Sequence, residues 1–245
     1  MPVVPGLTTT VPEATPFYRI TSLSFRTSRA ALHKRVVNGE GGVRSRHGAR
    51  YNHPGSRTAY LAEDLETCLA ERMFYFHREI LVALDSSHIT GVLPPFQQRF
   101  ILWEVQLQNP VQDVFELSVA NASAMQVFPT LMLNPSQDYH HLKDRRAVIQ
   151  SNGYNGLRAP STRVRGTGHM IVLFHDQSRN LQSITPFEVE FRLMTFGLPP
   201  APFVNHAIDI LDFLGGEARI LSPSGGGLPP ALAAYQNWTR VEFNH

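Results

Sequence analysis

Between Arg46 and Glu71 the chain reads RHGARYNHPGSRTAYLAEDLETCLAE. Three kinds of chemically able side chain stand close together there. Arg50 offers a forked cation in a glycine-rich loop, where backbone can approach a ligand closely and the fork can grip phosphate or carboxylate. Tyr51 beside it and Tyr60 further on offer rings with hydroxyl tips. Glu71 offers a carboxylate that lies off the apolar stripe of its segment. Each has an ordinary explanation when taken singly. Tyr60 reads as a core tyrosine with a satisfied hydroxyl, and Glu71 as a solvated carboxylate or a partner of Arg78 or His77.

Local patterning supplies the elements that must position these residues. Phe17 to Phe25 alternates as a strand with a slip, residues 26–37 form a short helix, and 38–57 are loop, rich in glycine. TAYLAE, 58–63, is a strand. The best helix is 64–79, with Asp64 as its N-cap and Leu65, Cys68, Leu69, Met73 and Phe76 on one face. Strands follow at 99–108 and 113–117, then a helix at 138–153 closed by Gly153. Further strands fall at 154–161, 169–175 and 186–196, and a helix at 206–216 ends in two glycines. Strands and helices mix without regular alternation and no repeat is visible, so the fold class is α+β with largely antiparallel sheet. Residues 1–16 read as an N-terminal arm, 17–222 as the main domain and 223–245 as a Gly/Pro joint with a C-terminal appendage.

Composition narrows the function. The 245 residues are 42% hydrophobic and carry a net charge of +2, so they can fold around a core and carry no strong basic field. Direct nucleic-acid binding is therefore not expected. Arginine dominates the cations, with lysine only at Lys34 and Lys143. That bias permits a phosphate-bearing ligand, although a compositional habit accounts for most of it. The lone cysteine, Cys68, rules out an internal disulfide and reads as a buried, inert thiol. No metal is expected: His140 and His141 are adjacent and diverge on a helix, and His47 and His53 have no matching ligands. The familiar nucleotide, metalloprotease and hydrolase motifs are absent. The start does not read as a signal peptide and no run would span a bilayer, so a cytoplasmic protein is expected.

The segment GARYNHPGSRTAYLAEDLETCLAE resembles the signature of the RES-domain family, the toxin halves of RES–Xre toxin–antitoxin pairs, named for an Arg, a Glu and a Ser. Arg50, Tyr60 and Glu71 fall on the family's Arg, strand Tyr and Glu. GLRAPSTRV supplies the Ser after a Pro, at Ser161, and FYRI resembles the opening strand, with Arg19 in it. The resemblance covers roughly 17–195; residues 85–137 match nothing in it.

The resemblance implies an ADP-ribosyltransferase-like fold, two largely antiparallel sheets forming an NAD+ cleft flanked by helices. It implies NAD+ as substrate, not as retained cofactor, cleaved between nicotinamide and ribose with phosphate or water as acceptor. Arg50 would grip the diphosphate or the adjacent ribose, and Tyr60 would stack on a ring with Tyr51 as a further wall. Glu71 would stabilise the oxocarbenium-like centre, and Ser161 would hold the ribose or the acceptor. Arg57, Arg158 and Arg163 are weaker candidates for an acceptor phosphate. Modification of a specific macromolecule, or a non-catalytic interaction module, are the alternatives. The implied partners are NAD+, inorganic phosphate, an Xre-like antitoxin and, from the aromatic-rich strands, a second copy of the chain.

Overall fold

Alternating inward apolar residues build the longest strands, and these set the frame. The computed structural model of the chain describes residues 8–13, 15–23, 51, 53, 55–56, 58–90, 96–118, 121, 140–164, 168–174, 180–193, 216–222 and 226–243. In chain order these form β1 (Thr8–Val11), β2 (Phe17–Ser22), β3 (Thr58–Ala62), α1 (Leu65–Thr90), β4 (Gln97–Leu107) and β5 (Val111–Glu116). There follow α2 (His140–Ser151), β6 (Gly156–Pro160), β7 (His169–Phe174), β8 (Leu181–Leu193), β9 (Gly216–Leu221), α3 (Pro230–Ala233) and β10 (Thr239–Val241).

The α+β class holds, and so does the antiparallel character. The strands run β1-β5-β6-β7-β3-β2-β4-β8-β9-β10 in one hydrogen-bonded order. Only β5 and β6 are parallel among the described pairs, and α2 lies between them in sequence as the crossover that a parallel pair needs. The two sheets that were expected are thus a single ten-stranded order. Yet its centre is thin: β2 meets β3 through one registered pair, Tyr18 with Ala62, whereas β2 meets β4 through six. Five strands lie to each side of that joint.

Each half has its own helix. On one side α1 buries Cys68, Leu69, Met73, Phe76 and Ile80 against Phe100, Leu102, Val189 and Phe191. On the other, Ile149 of α2 packs with Phe115, Leu157, Val172 and Phe174. A third cluster, with Leu61, Trp103, Val105 and Ile171, fills the opposite face of the central strands. Both faces of β4 are therefore buried, as its apolar run predicts.

Asp64 caps α1 as expected. Its Oδ1 accepts from the Thr67 backbone N–H at 2.7 Å and its Oδ2 from the Thr67 hydroxyl at 2.7 Å. The helix runs to Thr90, eleven residues past the expected end at 79. Gly153 does stop α2, with φ of 89° in the left-handed region. Among the described residues no helix is long and apolar enough to cross a membrane. The short helix expected at 26–37 lies outside the described residues, as does 206–215 of the later one; Gly216 opens β9.

Both chain ends differ from the expected loose arm and small appendage. Thr8–Val11 pairs with β5 as an edge strand. At the other end β10 pairs with β9, and Ile220 N–H donates to the Tyr235 carbonyl at 2.6 Å. Charged side chains tie this end to the sheet. Arg99, Glu190 and Arg219 stand in register across β4, β8 and β9. Burial alone would raise the Glu190 carboxyl, but hydrogen bonds from Gln97 and Arg219 reverse that and hold it below the usual carboxylate range. Arg192 and Arg219 both lie over the Trp238 ring, at 4.2 and 4.6 Å from its centroid. Trp238→Ala should therefore cost about 1–2 kcal/mol, the sum of two partly exposed cation–π contacts, read as a lower urea midpoint with unchanged slope.

Candidate active site

The end of β6 and the second turn of α1 are 90 residues apart in sequence and touch. Ser161 Oγ donates to Glu71 Oε1 at 2.7 Å. The same Oγ accepts from the Arg163 backbone N–H at 3.1 Å, so the hydroxyl is held from both sides. Ser161 is buried, and its own N–H donates to the Gly168 carbonyl at 2.8 Å. Gly168 lets this loop lie on the start of α1: a Cβ there would collide with the Thr67 hydroxyl and approach Val164 to 3.1 Å. The cap that starts α1 and the glycine that closes the loop thus set the distance between Ser161 and Glu71.

Arg163 is almost wholly buried, with its guanidinium 3.3 Å from the centroid of the Phe74 ring. Phe74 in turn meets Phe243 edge to face, centroids 6.3 Å apart, and Phe243 also lies against His77 at 5.7 Å. The C-terminal end of the chain therefore backs the wall from which Ser161 is presented.

Tyr60 makes a second contact between elements. It sits on β3, and its hydroxyl accepts from the Tyr51 backbone N–H at 3.0 Å, which fixes the loop that precedes β3. Burial pushes the Tyr60 phenol above its ordinary range, so it stays protonated. The groups whose charge acts on it include Tyr75 and Arg146. Tyr75 stands four residues beyond Glu71, hence over the same face of α1, is 42% exposed and meets Phe74 edge to face, centroids 5.6 Å apart. Arg19 of β2 interacts electrostatically with Tyr60 and Cys68. Burial lowers it from the ordinary arginine value, opposed by Tyr60 and Cys68. The Cys68 thiol is pushed up by burial, then by Glu71 and Asp64.

Of the residues singled out in sequence, Glu71 and Ser161 are in direct contact, and Tyr51 and Tyr60 are in direct contact with each other. Arg50 lies outside the described residues, as does Arg57. Arg158 is committed elsewhere: its Nε and Nη2 reach Glu63 at 2.6 and 2.8 Å and its Nη1 reaches Glu116 at 2.6 Å. It is thus a structural ion pair, not an anchor for an acceptor phosphate. Tyr75 and Arg146 were not anticipated. Tyr75 is signalled by its spacing from Glu71; Arg146 has no local signal, because its surroundings depend on where α2 docks. Among the described residues no group of His, Cys, Asp or Glu gathers as a metal site.

The RES domain family model matches residues 16–194. The chain belongs to the RES domain family. Both the Glu71–Ser161 pair and the Tyr51–Tyr60 pair fall inside the matched span, and β9, α3 and β10 fall beyond it. No curated protein matches the chain. Among solved structures it is similar to a chain in the crystal structure of the M. tuberculosis MbcT-MbcA toxin-antitoxin complex. The identity is 17%, over 72% of this chain and 86% of that one, with a TM-score of 0.48. Nothing below rests on so distant a likeness.

The environment of Cys68 makes a simple prediction. Iodoacetamide at pH 8 should leave the native thiol unlabelled over hours and alkylate it fully in urea, as mass spectrometry would read.

Proposed function

We propose that this chain cleaves the nicotinamide–ribose bond of NAD+, with phosphate or water as acceptor, in an ADP-ribosyltransferase-like cleft. The observation that carries this reading is the 2.7 Å bond from Ser161 Oγ to Glu71 Oε1 in a chain of the RES domain family. In the reaction the C1″–N bond breaks and nicotinamide leaves with the bonding pair as a neutral base. An oxygen of phosphate or water then bonds to C1″; with water a proton is released. The products are ADP-ribose-1″-phosphate or ADP-ribose.

The transition state resembles that of glycoside cleavage, with positive charge on the ribose. Glu71 is the carboxylate that faces this charge and accepts from a ribose hydroxyl. Ser161 acts through it. Its proton is spent on Glu71 Oε1 and one of its two lone pairs on the Arg163 N–H, and we assign it a positioning role that fixes the carboxylate's rotamer and leaves Oε2 for the ribose. Tyr60, held protonated, stacks beneath the dinucleotide and donates where needed, with Tyr51 and Tyr75 beside it. The family resemblance assigns the grip on the diphosphate to Arg50, which lies outside the described residues.

Free NAD+ loss stops growth, so such an activity needs a partner that blocks the cleft, and the family implies an Xre-like antitoxin. A cytoplasmic location follows from the substrate and from that partner.

The test is incubation of purified chain with NAD+, with and without inorganic phosphate, followed by product identification. Phosphate-dependent ADP-ribose-1″-phosphate, or plain ADP-ribose, supports the reading and names the acceptor. NAD+ left intact, with a mass shift on a host protein, would move it to the transferase class. Glu71→Gln should lower kcat by about 100-fold or more, the scale of losing one preorganised charge contact. Ser161→Ala should lower it by about 10- to 100-fold, the scale of one hydrogen bond to a charged group.

A further inference from the structure

Arg72, Arg99, Arg158, Arg192, Arg219 and Arg240 each end on a glutamate. Their charges are accounted for within the fold. Arg146 departs from that pattern. It is 7% exposed and has no carboxylate partner among the described residues. Its Nε is sealed from solvent with no acceptor. Among the described residues its Nη2 reaches only the Thr58 hydroxyl, at a long 3.4 Å. Its remaining contact is the Phe174 ring, 4.6 Å from Cζ to centroid. Burial disfavours its charge, and the opposing influence comes from the Tyr60 phenol.

A buried guanidinium without an anion is costly, because it has left water and gained no counter-charge. The fold accepts that cost where α2 crosses β3, beside Tyr60. Helical spacing sets Lys143, three residues earlier and also buried, on the same face of α2. Two buried cations, a hydroxyl and a neighbouring phenol suit a tetrahedral oxyanion. The planar fork of an arginine matches two phosphate oxygens at once.

We propose that Arg146, with Lys143 and Thr58, is the seat of a phosphate group: the pyrophosphate of the dinucleotide against Tyr60, or inorganic phosphate held as the acceptor. This rests on the reading that Tyr51 and Tyr60 border a bound dinucleotide, and it adds to that reading the group that holds the phosphate. The glutamate-paired arginines hold the fold together; Arg146 waits for the ligand.

The test is calorimetric titration and thermal shift of the full chain with three probes: ADP-ribose, inorganic phosphate and adenosine. Arg146→Gln should weaken ADP-ribose or phosphate by about 10-fold or more, the scale of a charge-assisted contact, and leave adenosine unchanged. Weakening of ADP-ribose alone assigns the pyrophosphate, and weakening of phosphate alone assigns the acceptor. The ligand-free variant should melt no lower than the parent, because it has lost an uncompensated buried charge. Arg146→Lys keeps the charge without the fork and carries the same test if the glutamine variant does not fold. Unchanged affinity for both phosphate-bearing probes in a folded variant overturns the proposal. Binding is read without turnover. A parent chain that holds ADP-ribose through Arg146 yet leaves NAD+ intact would sink the catalytic reading and keep this one.

Discussion

One hydrogen bond organises the candidate site: Ser161 to Glu71 across 90 residues of chain. A carboxylate on a helix surface samples several rotamers and points to water. Tied to a buried serine, it has one orientation. Everything near it serves that constraint. Asp64 starts α1 at a fixed residue, so Glu71 emerges in the second turn at a fixed angle. Gly168 brings the loop after β6 down onto that start. The Arg163 N–H turns the serine hydroxyl toward the carboxylate. Arg163 itself is pinned by Phe74, and Phe74 by Phe243, so a segment beyond the matched family span supports the pair from behind.

The arginines divide into two populations by their surroundings. On the outer face of β4, β8 and β9 they alternate with glutamates in register and clamp Trp238. These pairs are partly exposed, so each contributes little, but together they fix β9 and β10 to the long strands. Near the joint between β2 and β3 the arginines, Arg146 buried and Arg19 half-buried, interact with a tyrosine instead. Arg19 comes from β2 and Arg146 from α2, and Tyr60 is the neighbour of both. The joint itself is a single registered pair, Tyr18 with Ala62.

How much was legible depended on the range of the interaction. The Asp64 cap and the Cys68, Leu69, Met73 and Phe76 stripe are local, and they were read correctly. The end of α1 was not, because Ile80 continues the stripe after the polar Arg78–Glu79 pair. Thr8–Val11 carries the β-branched signal of a strand, but as an edge strand it has few apolar residues to announce it. In β9, Ala218 and Ile220 alternate with Glu217 and Arg219, a signal present and overlooked beside the preceding helix pattern. The single order of ten strands could not be read, since pairing across the centre is non-local. Arg146 was invisible for the same reason: α2 is amphipathic, and nothing within it says that its buried face meets Thr58 and Phe174.

The central claim is that Ser161 works only by holding Glu71. A double-mutant cycle on NAD+ turnover tests this directly, with Glu71→Gln, Ser161→Ala and the pair combined. The account predicts that the double variant is no slower than Glu71→Gln alone, because nothing is left for the serine to orient. Losses that multiply would mean that Ser161 acts on the substrate independently, and would contradict it.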